Sequence, residues 1–543
     1  MKKKNVGKLL ALLLTCVMIV SVAACGGGDS PSTSNGGGES PSTSSGGGGE
    51  SSPSGSTLVD SGRDTIRIAV SNDMGTLDPA QNSGTDFIGP MTMMVHQPLW
   101  YYDSNNEIEY ILGTGYDWVD DVTMHIYIRE GVTFANGETL DAHDVLFSLI
   151  RYNYREGQGA MFRQLNEEDS RVIDSLTLEL KFNEADFNLH RNMGQYAIVR
   201  NGTTMEEAAS APNGTGPYVV DDYVTNSHLH LTRRDDYWGD LPPTKNLHFI
   251  LLREEAQRTN ALQTGSVDVS AVPYQDVEFV QSLPTMNINN YNNVVQQVIF
   301  FNISPTSVFH QNTEARKAVA YAVDTDAIRR LVYQDLATKP LSVVTTNCTD
   351  IDDRFFNLGG VFDAGQNLEL ASQYAESSGL IDQEIRLINN GSPAAVLTCE
   401  LIQSNLREIG VTVNVLSYDM GSWTTYLFDE TAYDMAFDRN VALSGTVMSS
   451  LRYSIDSMSA ATFRNYPWDG RDEALEKIFA AATADEQTRV EWSLEVARSV
   501  NDEQLWVSLV DDVYIYAFHS DLTGNPRNNI GRYLNWENLH WTS

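Results

Sequence analysis

The spacing of apolar and polar residues changes period repeatedly along this chain. "DTIRIAVSNDMGTLDPA" (64–80) alternates and then breaks at a glycine, which predicts a strand entering a turn. "TMHIYIREGVTF" (123–134) is strand-like and leads into "NGETLDAHDVLFSLIRYNY". There Asp141 is placed to cap a helix whose Val145, Leu146, Leu149 and Ile150 share one face. "DSLTLELKFNE" (174–184) returns to period two. "GTGPYVVDDYV" (214–224) and "HLHLTRRDDYW" (228–238) predict a turn and two strands. Residues 246–272 read as strand, helix, glycine stop and strand. Residues 314–333 predict one amphipathic helix, 395–418 a helix ended by Gly410 and then a strand, and 472–510 two helices and a strand. This alternation predicts an α/β protein with largely parallel strand pairing.

Length sets the next constraint. A chain of 543 residues is too long for one hydrophobic core, so two or three lobes are expected. The first residues are of another kind. "MKKKNVGK" is basic, "LLALLLTCVMIVSVAA" is apolar and shorter than the ~20 residues a membrane span prefers, and small residues then precede Cys25. "SVAAC" resembles a bacterial lipobox, which implies a signal peptide over 1–24 and a lipid on Cys25. Residues 26–56 repeat "GGGDSPSTSN"-like units that hold nothing to bury. Residues 25–60 are therefore expected to be a disordered tether, with a root-mean-square span of roughly 30 Å. Cys16 leaves with the signal. Cys348 and Cys399 remain, and both a disulfide and two buried thiols fit the sequence.

Charge narrows the partners. Removing the four Lys of residues 1–24 takes the formal charge from −36 to −40. Such a surface repels nucleic acid and anionic lipid, and it keeps an exported protein dispersed. The sequence contains no H-E-x-x-H, G-x-S-x-G or G-K-[ST]. Adjacent acids such as Asp120–Asp121 point to opposite sides of a strand, so they make no acid/base pair. No enzyme and no cofactor are expected. His228 and His230 share one strand face, a spacing found in metal sites and on ordinary solvated surfaces alike.

Several segments, taken in order, resemble one family. "IREGVTFANGETLDAHDVLFSL" (128–149) is similar to the signature segment of the peptide/nickel class, family 5, of extracellular solute-binding proteins of ABC importers. "TLDPA" (76–80), "GTGPYVV" (214–220), the block 235–269, the block 300–328, "LIQSNLREIGVTVNV" (401–415) and "YDMAF" (433–437) continue the resemblance over roughly 65–540. It implies a two-lobed, periplasmic-binding-protein-like clamshell of type II. Lobe I would take 61–310, with an extra subdomain about 106–213, and the C-terminal return 505–543. Lobe II would take 311–504, with crossings near 300–312 and 500–512. It implies a monomer on the outer face of the bacterial cytoplasmic membrane, anchored through Cys25. A solute, peptide or peptide-like, would close the lobes and pass to a permease and ATPase complex. An oligosaccharide or metal chelate as ligand, or a ligand-sensing lipoprotein without transport, is the alternative.

The resemblance also suggests where the ligand sits. Peptide binders of the family carry an Asp after the "YDM" strand that anchors the peptide amine. Here that position holds Leu443, and the accompanying Trp position holds Asn440. The candidate ligand residues are Asp73 and Met74 in a glycine turn, Tyr274 after the "VDVSAV" strand, Trp423, the strand residues Asp438, Arg439 and Asn440, and Asp511 beside Asp512. Several have a plainer reading: Trp423 as a core residue, Asp438, Arg439 and Asn440 as a solvated strand end or an ion pair between lobes, and Asp511 with Asp512 as solvated hinge residues. "NNYNNVVQQ" (289–297) offers amides to a polar ligand, or is a loop and an edge strand.

Overall fold

The computed structural model describes residues 63–73, 75–81, 89–103, 106–153, 165–186, 188–456, 467–524, 526–529 and 533–542. The expected signal segment, the tether, Cys25 and Met74 lie outside them. The strands used below are β1 (Thr65–Val70), β2 (Gly113–Asp120), β3 (Thr123–Ile128), β4 (Leu165–Asp174), β5 (Thr177–Phe182), β6 (Tyr218–Val224), β7 (His228–Arg233) and β8 (Asn246–Leu251). They continue with β9 (Val269–Ala271), β10 (Met286–Phe301), β11 (Glu384–Asn389), β12 (Thr412–Ser417), β13 (Met435–Val441) and β14 (Trp506–His519).

Ten of them form one sheet in the order β12-β11-β13-β10-β14-β9-β1-β8-β7-β6. Among the described residues four neighbouring pairs in it are parallel and five antiparallel, which corrects the expectation of largely parallel pairing. Two of the five come from the β6-β7-β8 meander, and the other three involve β10 and β14. The first part of β10 pairs with the far part of β14, as Asn287 with Phe518, while its last part pairs with Trp506–Val510 and with β13. The chain thus moves from one half of the sheet to the other along β10 and comes back along β14. Opposite travel makes the two strands antiparallel. The register slips between Asn292 and Gln296, where the partners change. Residues 289–297 therefore lie in a central strand and not in a loop or at an edge.

Local signals explain most elements. The helix Ala142–Asn153 starts where the Asp141 carboxylate accepts the His143 N–H at 2.8 Å, and the Asp144 carboxylate accepts the Asp141 N–H at 2.9 Å. Val145 and Leu149 are fully buried. Gly265 (φ 68°) ends the helix Glu255–Thr264 in the left-handed conformation that suits glycine. The predicted single helix over 314–333 is instead two, Thr313–Ala322 and Thr325–Leu331. Asp324 separates them: its side chain caps Ala327 and its own N–H is taken by Asn405.

Strands β2 to β5 make a separate antiparallel sheet, ordered β2-β3-β5-β4. Its inner residues Met124, Ile126, Leu178 and Leu180 belong to the same continuous core as Val298–Phe301, Leu387 and Ala436 of the large sheet. A second core joins both chain ends. Ile66, Ile68, Leu229, Leu247 and Phe249 pack with Leu534, Trp536 and Leu539. Burying each such side chain contributes roughly 1.5–3 kcal/mol. The "GTGPY" turn also has a steric cause. A Cβ on Gly214 would sit 1.9 Å from the Val95 carbonyl oxygen, and one on Gly216 2.2 Å from that of Met94, so only glycine lets these backbones meet. Cys348 and Cys399 are both free and buried, and burial pushes both thiols up. No helix among the described residues is long and apolar enough to cross a membrane.

Candidate functional site

Where β10 and β14 cross, their side chains sort onto two faces. Asp511 and Asp512 are neighbours and so point oppositely. On one face Asp511 is fully buried and accepts from Gln296 Nε2 (2.9 Å), Thr346 N (2.8 Å) and Thr346 Oγ1 (2.7 Å). Burial outweighs these donors and raises its pKa to about 6. Asn440 belongs to the same face. Its amide donates to the Val343 carbonyl, and its oxygen accepts from Ser450 and Ser454 at 3.0 and 2.7 Å. Trp506 Nε1 also donates to Val343 O, at 2.9 Å. Asp511 and Asn440 thereby pin the segment 338–346 to the sheet.

The other face gathers a different set. Tyr274 donates to Asp512 Oδ1 at 2.5 Å, and Gln297 Nε2 donates to Asp512 Oδ2 at 3.1 Å. Gln297 is paired in register with Arg439, whose side chain is exposed. Burial raises the Asp512 pKa, and the Arg439 charge opposes that rise. The Tyr333 ring meets Tyr274 edge-on with centroids 5.0 Å apart. Burial, with Asp512 adding to it, pushes the Tyr274 phenol up, so it stays protonated and acts as a donor. The result is a polar group with aromatic walls, which can accept donors through Asp512 and present a cation through Arg439.

The remaining candidates are placed elsewhere. Trp423 lies in the helix Met420–Leu427 with 9% of its surface exposed, packed into the core of its half. Asp438 is half-buried on β13, opposite Val298. Asp73 lies near Tyr223 at the outer end of the sheet; burial and then the Asp73 charge push that phenol up. Leu443 is half-buried in the turn after β13.

That turn takes part in a set of contacts that sequence reasoning missed. The segment after β5 reaches across to residues 444–452. The Asp186 carboxylate meets the Arg452 guanidinium at 2.5 Å, Asn188 Oδ1 accepts from Ser444 Oγ at 2.6 Å, and Arg191 Nε donates to the Ser444 carbonyl at 3.0 Å. The Arg191 guanidinium lies 4.3 Å from the centre of the Tyr102 ring. Asp350, raised by burial and held back by the Val447 N–H and the Arg191 charge, lies beside it. "ADFNLHRNMGQY" has neither strand nor helix period, so only its run of polar residues marked it.

A mixed sheet crossed twice by the chain, with a separate antiparallel module bridging to the inserted half, is the fold of the periplasmic binding proteins. The family model for bacterial extracellular solute-binding proteins, family 5 (middle), matches residues 107–460, and the chain belongs to that family. Family 5 proteins are the non-catalytic binding components of ABC transporters, so this chain is a solute-binding protein and not an enzyme. It is 21% identical over 477 residues to the glutathione-binding protein GsiB of Salmonella paratyphi A, covering 84% of this chain and 91% of that one. Solved structures share the fold. NikA from Brucella suis, in complex with Fe(III)-EDTA, superposes with a TM-score of 0.77 at 18% identity, over 88% of this chain and 100% of that one. The oligopeptide-binding protein AppA from Bacillus subtilis, in complex with a nonapeptide, gives 0.74 at 16%, over 88% and 99%.

Proposed function

We propose that this chain captures a small peptide-like solute between a half built from 61–310 plus 505–543 and a half built from 311–504. It then hands the solute to the permease and ATPase of an ABC importer, while a lipid on Cys25 holds it at the outer face of the membrane. The observation that carries this reading is the paired crossing of β10 and β14, with Tyr274, Gln297, Arg439 and Asp512 gathered on one face of it. β10 and β14 carry the chain between the two halves, and a ligand touching both halves favours their closed arrangement. The contacts of Asp186, Asn188 and Arg191 with Ser444 and Arg452 favour the same arrangement from the module.

Peptide-like ligands fit relatives that bind glutathione and a nonapeptide. Leu443 modifies the class. Where peptide binders of the family present a carboxylate to the amine, this turn presents an apolar side chain. A buried ammonium would lack its charge-assisted partner there, so the favoured ligand has a blocked or modified amino terminus. The test is to purify the protein without denaturation, unfold it and identify the released molecule by mass spectrometry. A peptide-like molecule without a free α-amine is expected. A free-amine peptide would overturn the Leu443 argument, and a sugar or a metal chelate would overturn the peptide class. Unchanged uptake of the released molecule after deletion of the gene would overturn the transport role.

A further inference from the structure

The far end of the large sheet carries a cluster apart from the β10–β14 crossing. On β7 the inward residues Leu229 and Leu231 are buried in the core, so His228 and His230 face outward. On β8 the same alternation turns His248 outward between Leu247 and Phe249. Register then aligns them. His248 lies opposite His230, and Asp222 of β6 lies opposite His230 on the other side, at an irregularity between Val220 and Asp222. The His230 and His248 rings stack with centroids 3.8 Å apart at 17°, and His228 and His230 stack at 4.3 Å. His228 Nε2 and Asp222 Oδ2 are 2.9 Å apart, while His228 Nδ1 contacts Ser227 Oγ at 2.9 Å. One donor atom each from Asp222, His228 and His230 lies within 4.8 Å of the others.

We infer that Asp222, His228 and His230, with His248 adjoining, form a binding site for a divalent first-row transition metal of the zinc class. Imidazole nitrogen with one carboxylate oxygen is the donor set such an ion prefers, at 2.0–2.2 Å as a typical bond length, roughly. Donors a few ångströms apart need only side-chain rotation to meet those bonds. A metal on His228 Nε2 would take the place of the Asp222 contact at that nitrogen, with the ring N–H then on Nδ1 toward Ser227. Ser227 holds the other nitrogen of His228 and fixes the ring, as outer partners of metal-ligating histidines do. The charges that act on His248 besides its histidine neighbours are Asp221 and Arg67, the latter engaged by Asp268 at 2.6 Å. The site lies four strand spacings from β14, roughly 19 Å at ~4.8 Å each, so it is separate from the crossing. Its occupant would tie the edge strand β6 to β7.

The test is to titrate the full chain, stripped with a chelator, with Co²⁺ at neutral pH and then with Zn²⁺. One equivalent of Co²⁺ is expected, with the visible absorption of a four-coordinate nitrogen/oxygen site, displaced by Zn²⁺. Zn²⁺ should also raise the melting temperature. His230→Gln should weaken binding about tenfold or more, and the His228→Gln/His230→Gln variant should lose it. Circular dichroism verifies that each variant folds, and Asp222→Asn at the exposed edge is the second variant if either does not. Absence of Co²⁺ and Zn²⁺ binding at micromolar concentration would overturn the site. So would undiminished binding by the double variant, which would locate the metal elsewhere on the protein.

Discussion

Arg452 and Asp186 meet at 2.5 Å although 266 residues separate them, and both side chains are mostly removed from water. Asp456 lies on the other side of the guanidinium at 3.5 Å. This pair ties the antiparallel module to the helix Val447–Ile455. Asp186→Asn keeps an acceptor and removes the charge. With the closure proposed above, affinity for the released solute is expected to fall roughly three- to tenfold, about 1 kcal/mol, as this contact weakens. Calorimetry reads the affinity, and small-angle scattering should show a larger radius of gyration. Unchanged affinity and dimensions would remove this bridge from the closing mechanism.

Tyr274→Phe takes one donor from Asp512 and leaves Gln297 as the side chain still donating to it. A cost of about 1–2 kcal/mol is expected in urea unfolding at neutral pH. In an Asp512→Asn background the same change should cost clearly less, since the partner charge is gone. Equal costs in both backgrounds would mean that the two residues are not coupled.

Asp511 makes stability depend on acidity. Its folded pKa, about 6, lies above the ordinary carboxylate value, so between those two pH values the folded state holds more protons than the unfolded state. Stability contributed by this group therefore falls as pH rises through that window and is flat above it. Asp511→Asn should flatten the change in unfolding free energy between pH 7 and pH 5. A variant whose pH profile matches the parent protein would show that this carboxyl is not responsible.

Gly214→Ala places a methyl group 1.9 Å from the Val95 carbonyl oxygen, which is backbone and cannot swing away. The expected loss is about 3 kcal/mol or more. Gly75→Ala is a useful contrast, because its added Cβ meets nothing within 4 Å and only the positive φ of 72° opposes it. A smaller loss, about 1 kcal/mol, is expected there. Thermal melting compares the two, and the reverse order would refute the steric account.

Local chemistry was readable in the sequence, and long-range partnership was not. Asp141 as a cap and Gly265 and Gly410 as helix stops all act within a few residues of themselves, so their signals survive in one dimension. The break at Asp324 was hidden, because the apolar pattern runs on across it and Asn405, which supports the break, lies 81 positions away. Residues 289–297 are rich in Asn and Gln, which reads as surface. They are central because Gln296 and Gln297 find Asp511 and Asp512 on a strand that the sequence places 215 residues later. The site was legible to the same extent. Tyr274, Asp512 and Arg439 came from segments that a family resemblance could align, whereas Arg191 and Asn188 lie in a stretch with no period to align. Asn440 and Asp511 gave no sign in the sequence of their internal partners, Val343, Ser450 and Ser454 for the one and Gln296 and Thr346 for the other.

The core shared by the two chain ends also sets the order in which the molecule can be completed. Ile66 and Phe249 pack with Trp536 and Leu539, and the Trp541 indole donates to the Thr65 carbonyl at 2.9 Å. The elements between β10 and β14 are contiguous and find most of their partners among themselves. As the chain emerges beginning with its N-terminus, the inserted half can therefore settle while the half that began first still waits for its last residues. A truncation within the final forty residues would thus leave the earliest-made strands without their covering, and such a chain is expected to be lost to proteolysis before it reaches a ligand.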